Sequence, residues 1–168
     1  MANLTTTIGG STSNSYVSLS DFESYCDERL NVGVFYDADD DDRVRALLMA
    51  ARRLDRENWI GSPATDTQAL AWPRSDVPKV DAVRGYGLSY WGEEYSTTEI
   101  PLQIKHAQIE LALSYLDGFD DGEEDAIQSF SADGVSVEFR GSRPSGSLPA
   151  AVSQLIGGLL RGNRLVRG

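Results

Sequence analysis

Side chains that carry out acid–base or nucleophilic chemistry are scarce in this sequence, which has one histidine and one cysteine. His106 lies four residues before Glu110, a spacing that places both side chains on one face of a helix. Such a pair is typical of a helix surface, and a catalytic dyad is the alternative. Cys26 falls on the apolar stripe of a predicted helix, which favours a buried structural thiol over a nucleophile. We expect no catalytic residues and no enzymatic activity.

A dense run of aspartates between Asp37 and Asp42 raises the question of a cation site. Asp37, Asp39 and Asp41 match the first three ligand positions of an EF-hand loop. The sixth position holds Asp42 instead of glycine, and the twelfth holds Leu48 instead of glutamate. Acidic residues also cap free backbone donors and complement the macrodipole at the start of a helix. We therefore interpret the run as a helix start and expect no metal and no cofactor, with weak binding of a divalent ion as the alternative.

No phosphate-binding or nucleophile motif is present. The sequence contains no Walker A loop, dinucleotide fingerprint, His-Glu-x-x-His or Gly-x-Ser-x-Gly pattern. No apolar run approaches the ~20 residues of a membrane span, so we expect no membrane contact. The first residues have neither a basic nor an apolar segment, so we also expect no secretory signal.

Charge is distributed unevenly along the chain. Its 168 residues carry 26 acidic and 15 basic side chains, a net charge of −11. All the acids lie in residues 1–138, whereas residues 139–168 contain five arginines and no acid. Affinity for phosphates rests mainly on Lys and Arg, so the acidic body argues against general nucleic-acid binding. The basic tail predicts a docking segment for an acidic partner, and a solvated tail is the alternative.

Hydrophobic periodicity predicts the elements that must position these residues. Three main helices and a C-terminal helix are predicted at residues 19–30, 41–59, 101–117 and 150–161. Ser18 and Asp21 have capping-box spacing at the first helix, and Leu30 is expected to be buried at its end. Alternation around Asp133-Gly134 predicts a β-hairpin.

The predicted fold class is mainly α, a small helical bundle with a long aromatic loop and one β-hairpin. We divide the chain into four parts: an extended arm at 1–17, a helical domain at 18–126, the hairpin at 127–140, and a C-terminal helix with a basic tail at 141–168.

The predicted loop at residues 60–99 is long, aromatic and without regular structure, and loops of this length are often functional. Its aromatic rings would suit stacking on single-stranded bases, but it carries three basic and six acidic side chains. We therefore expect the aromatic residues to anchor the loop or to fill a subunit interface. The residues assigned to this role are Trp72, Pro73, Arg74, Tyr90 and Trp91. On the hairpin, the expected interface residues are Phe130, Val137 and Phe139.

Several short motifs occur in a characteristic order between residues 14 and 117. They are Asn14-Ser15-Tyr16-Val17-Ser18-Leu19, Ala46-Leu47, Ala50-Ala51, Leu54-Asp55, Trp59-Ile60-Gly61, Gln68-Ala69-Leu70-Ala71-Trp72-Pro73-Arg74, Ile100-Pro101, Ala107 and Glu110-Leu111-Ala112. In this order and spacing the chain resembles the head–tail connector (adaptor, head-completion) proteins of tailed bacteriophages and prophages. It is most similar to the subset described as DnaT-like single-stranded-DNA-binding proteins.

The resemblance implies a small helical subunit of the virion. About twelve copies would close into a ring beneath the portal, extend the DNA channel and join the capsid to the tail. The implied partners are further copies of the chain, the portal, a tail or stopper protein, and double-stranded DNA that passes without sequence-specific binding. An acidic lumen would keep that DNA from adhering, and Arg161, Arg164 and Arg167 would dock on the portal.

The DnaT-like description implies an alternative function, that of a single-stranded-DNA-binding replication accessory protein. A regulatory interaction module is the third class of function that the sequence leaves open.

Overall fold

The structure, a computed structural model, describes residues 3–79, 93–120, 130–132, 135–137 and 147–161. Its helices are α1 (Leu19–Asp27), α2 (Gly33–Asp37), α3 (Asp40–Leu54), α4 (Leu102–Leu116) and α5 (Ala150–Ile156), and a 3-10 turn (Gly157–Leu159) follows α5. Its strands form two antiparallel pairs, β1 (Ser62–Pro63) with β2 (Arg74–Ser75) and β3 (Phe130–Ala132) with β4 (Val135–Val137). The mainly α fold class with a hairpin is confirmed.

The central helix is α4, against which α3 and α5 pack. Ile104 and Leu111 lie seven residues apart on one side of the helix and are fully buried. Ile109 and Leu113, on other sides of the helix, are also buried. A helix that is apolar on most sides is buried in the core, and this makes α4 the element that positions the others.

The predicted capping box at the start of α1 is confirmed. The backbone N–H of Asp21 donates to the Ser18 hydroxyl, and the Asp21 carboxylate accepts from the backbone N–H of Ser18 at 2.9 Å. The predicted helix end is wrong, because α1 ends at Asp27 and Leu30 is 85% exposed. Asn31, four residues beyond the helix end, adopts a left-handed φ of 62°, which is not helical geometry.

The short helix α2 was not predicted. It places Phe35 edge-on against Phe22 of α1, with ring centroids 4.7 Å apart. The guanidinium of Arg43 in α3 lies over the Phe35 ring, 4.2 Å from the ring centre. A single buried aromatic residue therefore holds this turn of helix between α1 and α3.

The predicted end of α3 at residue 59 is also wrong. The Asp39 carboxylate caps the helix by accepting from the backbone N–H of Asp42 at 2.8 Å, and the helix ends at Leu54. Trp59 turns into the core, where its Nε1 donates to the Leu54 carbonyl at 3.1 Å. It also forms an antiparallel bridge with Leu160, a pairing that a continuous helix does not allow.

The connection after α3 is more ordered than predicted. Residues 62–63 pair with 74–75, and the backbone N–H of Tyr95 donates to the Val77 carbonyl at 2.9 Å. Gly61 has a φ of 71°, and a Cβ there would lie 2.1 Å from the Ser75 carbonyl oxygen. Only glycine fits this close approach. Residues 80–92 lie outside the described residues.

At the C-terminal end, α5 is shorter than predicted and stops at Ile156. Val152, Ile156 and Leu159 are fully buried. In the hairpin, Phe130 is paired with Val137 and Ala132 with Val135, which confirms the predicted β-hairpin over these residues. Residues 127–129, 133–134 and 138–140 of the predicted range lie outside the described residues.

Candidate functional site

Trp72, a predicted loop anchor, is buried between three parts of the chain. It precedes Pro73 through a cis peptide bond and is 1% exposed. Its ring packs edge-on against Trp59 at 5.7 Å and against Tyr95 at 6.4 Å. Such aromatic pairs contribute about 0.5–1.5 kcal/mol beyond the area they bury. The Trp72 ring joins the loop to the chain after α3 and is not available to stack on a nucleic-acid base.

Arg74 is a buried cation that binds only backbone oxygens in the described structure. Its Nε donates to the Ile60 carbonyl at 2.8 Å, Nη1 to the Ala71 carbonyl at 3.1 Å and Nη2 to the Gly61 carbonyl at 2.9 Å. Burial lowers the pKa of Arg74, and the nearby charge of Arg161 lowers it further. Arg161 donates to the same Gly61 carbonyl at 3.1 Å, so the C-terminal segment is attached at this point.

Tyr16 and Asp55 connect the N-terminal segment to the end of α3. The Tyr16 hydroxyl donates to the Asp55 carboxylate, which also accepts from the backbone N–H of Ala71 at 3.1 Å. Burial raises the pKa of the Asp55 carboxyl. Burial, together with the Asp55 charge, raises the pKa of Tyr16 well above its usual range. The segment before α1 therefore packs into the core, where Tyr16 and Val17 are buried.

Gln108 is fully buried in α4 and holds three elements together. Its Oε1 accepts from the backbone N–H of Tyr16 at 2.9 Å. Its Nε2 donates to the Ser15 hydroxyl at 2.8 Å and to the Leu47 carbonyl at 2.9 Å. One amide side chain thus joins α4, α3 and the N-terminal segment, and its hydrogen-bonding groups are satisfied as burial requires.

The expected pairing of His106 with Glu110 is wrong. The Glu110 carboxylate accepts from the Tyr25 hydroxyl at 2.7 Å and pairs with Arg29 at 2.8 Å. His106 packs instead on the Tyr25 ring at 4.9 Å, and burial lowers the pKa of its imidazole. Cys26 is buried as predicted, and burial raises the pKa of its thiol to about 11. The thiol is therefore protonated at neutral pH.

The aspartate run at the start of α3 has helix-capping and pairing roles. Asp39 is the cap, Asp40 pairs with Arg43 at 2.9 Å, and Arg45 pairs with both Asp41 and Asp42. Across the described ranges, no group of three or more His, Cys, Asp or Glu side chains is arranged to hold a metal ion. In the same ranges, no helix has both the length and the apolar character of a membrane span.

The structure describes some of the predicted interface residues and not others. Trp72, Pro73 and Arg74 lie together in the buried loop described above. Phe130 and Val137 are backbone register partners in the hairpin, and Arg161 is exposed at the end of the described residues. The remaining predicted residues lie outside the described residues: Tyr90, Trp91, Phe139, Arg164 and Arg167.

Ten basic side chains belong to the described residues, and most are bound to internal partners. Five form ion pairs and Arg74 is buried on carbonyls; the paired five are Arg29, Arg43, Arg45, Arg53 and Lys79. Arg52 and Arg56 are exposed and form no ion pair with any described residue. These two exposed arginines were not identified from the sequence as a distinct surface.

Comparisons with known proteins identify the family. No curated protein and no solved structure matches the chain. A family model described as "Putative DnaT-like ssDNA binding protein" matches residues 3–168, nearly the whole chain. The chain therefore belongs to the family of DnaT-like single-stranded-DNA-binding proteins.

Proposed function

We propose that this protein is a non-enzymatic head–tail connector subunit that forms a ring beneath the portal of a tailed bacteriophage. In the virion, the ring extends the DNA channel and joins the capsid to the tail. The observation that carries this proposal is that the motifs of the connector resemblance pack into one unit. Tyr16 bonds to Asp55 and Gln108, and Trp72 packs on Trp59, so motifs distant in sequence share one core.

The charge distribution supports a position beside DNA rather than tight binding to DNA. The described residues include 19 acidic and ten basic side chains, and most of the basic ones are bound internally. Phosphate binding needs Lys and Arg that are free to replace counterions. A wall of like charge instead repels the DNA backbone and lets it slide.

The proposed partners follow from the proposed position in the virion. They are about twelve copies of this chain in a closed ring, the portal, a tail or stopper protein, and double-stranded DNA in transit, with no membrane partner. The basic tail, including Arg161, Arg164 and Arg167, would dock on an acidic portal surface.

A second candidate function is single-stranded-DNA binding in replication. The family match favours this candidate, because single-stranded-DNA binding is the activity that the family description names. The exposed Arg52 and Arg56 and the arginines of residues 139–168 would then contact phosphates.

Co-sedimentation with the portal encoded beside this chain tests the connector proposal. We expect the wild-type chain to sediment with the portal, and a variant with Arg161, Arg164 and Arg167 all changed to Ser to lose this binding. A matched control changes Lys79, Arg84 and Lys105 to Ser, which removes the same charge outside the tail. Unimpaired binding of the tail variant would remove the tail from the interface, and absence of wild-type binding would contradict the connector proposal.

An oligonucleotide titration at several salt concentrations tests the second candidate. Contacts to single-stranded phosphates give a slope of about −0.7 in log affinity against log salt for each contact. A steep slope together with no portal binding would establish the DNA-binding function in place of the connector.

A further inference from the structure

The outer side of the C-terminal half of α3 presents positive charge. Arg52 and Arg56 are exposed, and Met49 beside them is 49% exposed. Met49 and Arg52 lie three positions apart on one side of α3. Arg56 lies in the turn that directly follows the helix, where its backbone N–H donates to the Arg53 carbonyl, so the second arginine extends the same end of α3. Arg45 follows the same spacing but is bound to its own aspartates. We call Met49, Arg52 and Arg56 the basic face.

An acidic groove lies near the other end of α3, between α2 and the C-terminal end of α4. Its volume is about 430 Å³, and its lining includes three carboxylates, two apolar side chains and one cation: Asp37, Asp117, Glu110, Val34, Leu113 and Arg29. Arg29 is paired with Glu110, so Asp37 and Asp117 give the groove its net negative charge. Glu110 is held by internal partners, whereas Asp37 and Asp117 are exposed. Carboxylates beside apolar side chains suit arginine, whose alkyl stem packs while its guanidinium pairs. We call this surface the acidic groove.

We propose that the basic face of one copy docks in the acidic groove of a second copy. The occupant is inferred from charge complementarity, because the two surfaces carry opposite charge and each includes apolar side chains. Both surfaces are present on every copy, so one copy supplies the face and its neighbour supplies the groove.

The positions of the two surfaces make this contact head-to-tail. They lie toward opposite ends of the 15-residue helix α3, which is about 22 Å long. Each copy therefore binds one neighbour through its face and another through its groove. Repeated contacts of this kind close into a ring when the rotation between copies permits. The inference rests on the proposed ring and adds the surfaces that build it.

Charge reversal on either side tests the contact. One variant carries Arg52→Glu and Arg56→Glu, which makes both surfaces acidic. The other carries Asp37→Lys and Asp117→Lys, which makes both basic. Asp37 ends α2 and Asp117 caps the C-terminal end of α4, where a positive charge complements the helix dipole, so this variant should keep its fold.

Sedimentation velocity at low salt, with and without the portal, measures assembly. Each variant alone should associate more than about tenfold more weakly than wild type, because its surfaces repel. An equimolar mixture should recover assembly, since the face of each variant then meets a groove of opposite charge. The matched control is Lys79→Glu with Lys105→Glu, which makes the same charge change outside both surfaces. Circular dichroism checks the fold, and Arg52→Gln with Arg56→Gln replaces the reversal if that variant unfolds.

Four outcomes separate this inference from the proposed function. Loss of assembly by each variant alone, with recovery of assembly in the equimolar mixture, supports the contact. If both variants assemble as well as wild type, alone or on the portal, the contact is overturned but the connector function is left intact. No assembly of wild type in either condition contradicts both. Unchanged assembly with lost oligonucleotide binding in the arginine variant shows that the basic face binds nucleic acid and overturns the inference.

Discussion

Replacing Gln108 by leucine tests whether one buried amide holds the N-terminal segment to the helical core. Leucine has a similar size, so the substitution removes hydrogen bonds without opening a large cavity. Ser15 keeps its hydrogen bond to the Val17 carbonyl. The backbone N–H of Tyr16 loses Gln108 Oε1, its partner at 2.9 Å, while Tyr16 is only 2% exposed.

The expected loss of stability follows from that orphaned donor. A buried donor left without a partner costs about 1–3 kcal/mol, and the apolar leucine offsets part of the loss. We expect the free energy of unfolding to fall by about 2 kcal/mol. At about 2–4 °C per kcal/mol for a chain of this size, Gln108→Leu should lower Tm by about 4–8 °C.

Thermal and urea unfolding followed by circular dichroism measure this loss. The matched control is Gln103→Leu, because Gln103 lies on the same helix, is half-buried, and accepts a long 3.4 Å hydrogen bond from Tyr95. It should cost less than about 0.5 kcal/mol. Equal Tm values for the two variants would refute the role assigned to Gln108. Faster amide exchange at Tyr16 in the Gln108 variant would localise the effect to the N-terminal segment.

Three further substitutions test the loop and its buried groups. Trp72→Ala should lower the free energy of unfolding by about 3–5 kcal/mol in guanidinium titrations and impair assembly, because it empties a fully buried site; unchanged stability and assembly would contradict the anchoring role. Gly61→Ala should cost more than about 1 kcal/mol by thermal unfolding, since its Cβ would meet the Ser75 carbonyl. Burial raises the pKa of Asp55, so the stability that its protonation provides is present at low pH and is lost as the pH rises above about 4. In Asp55→Asn, the free energy of unfolding from urea titrations should therefore decline less with rising pH than in wild type. The same pH dependence in both proteins would refute the assigned cause.

The helices that build the core could be predicted because their apolar residues recur at helical spacing. The cap of α1 was also predicted, since Ser18 and Asp21 interact within one turn. The helix α2 could not be predicted, because it has five residues and its N-cap, Val32, makes no side-chain hydrogen bond. Its helical geometry depends on Phe35 packing against α1, which is a tertiary contact.

The candidate site was predictable only in part, because its key partners are far apart in sequence. Gln108 lies within a predicted helix, but its partner Tyr16 is 92 residues away. Glu110 has a nearby histidine in sequence, yet it pairs with Arg29, 81 residues away. Local spacing identifies which side of a helix is buried, whereas tertiary packing decides which buried polar groups meet. The acidic groove has no local signature, because its walls come from α2 and α4.

The proposed function and the family description differ in what they require of the arginines. Single-stranded-DNA binding requires free cations along a track, whereas a connector requires pairing between copies and with the portal. Arg52 and Arg56 are exposed in either case, so their partner distinguishes the two functions. The charge-reversal variants therefore bear on both.

Cryo-electron microscopy of the purified protein mixed with its portal, against a portal-only control, tests the central claim most directly. We predict an added ring on the tail-facing end of the portal, with the basic face of each copy seated in the acidic groove of the next. A bare portal, with a monomeric chain that binds oligonucleotides in a salt-dependent way, would contradict the connector function and establish the single-stranded-DNA-binding function instead.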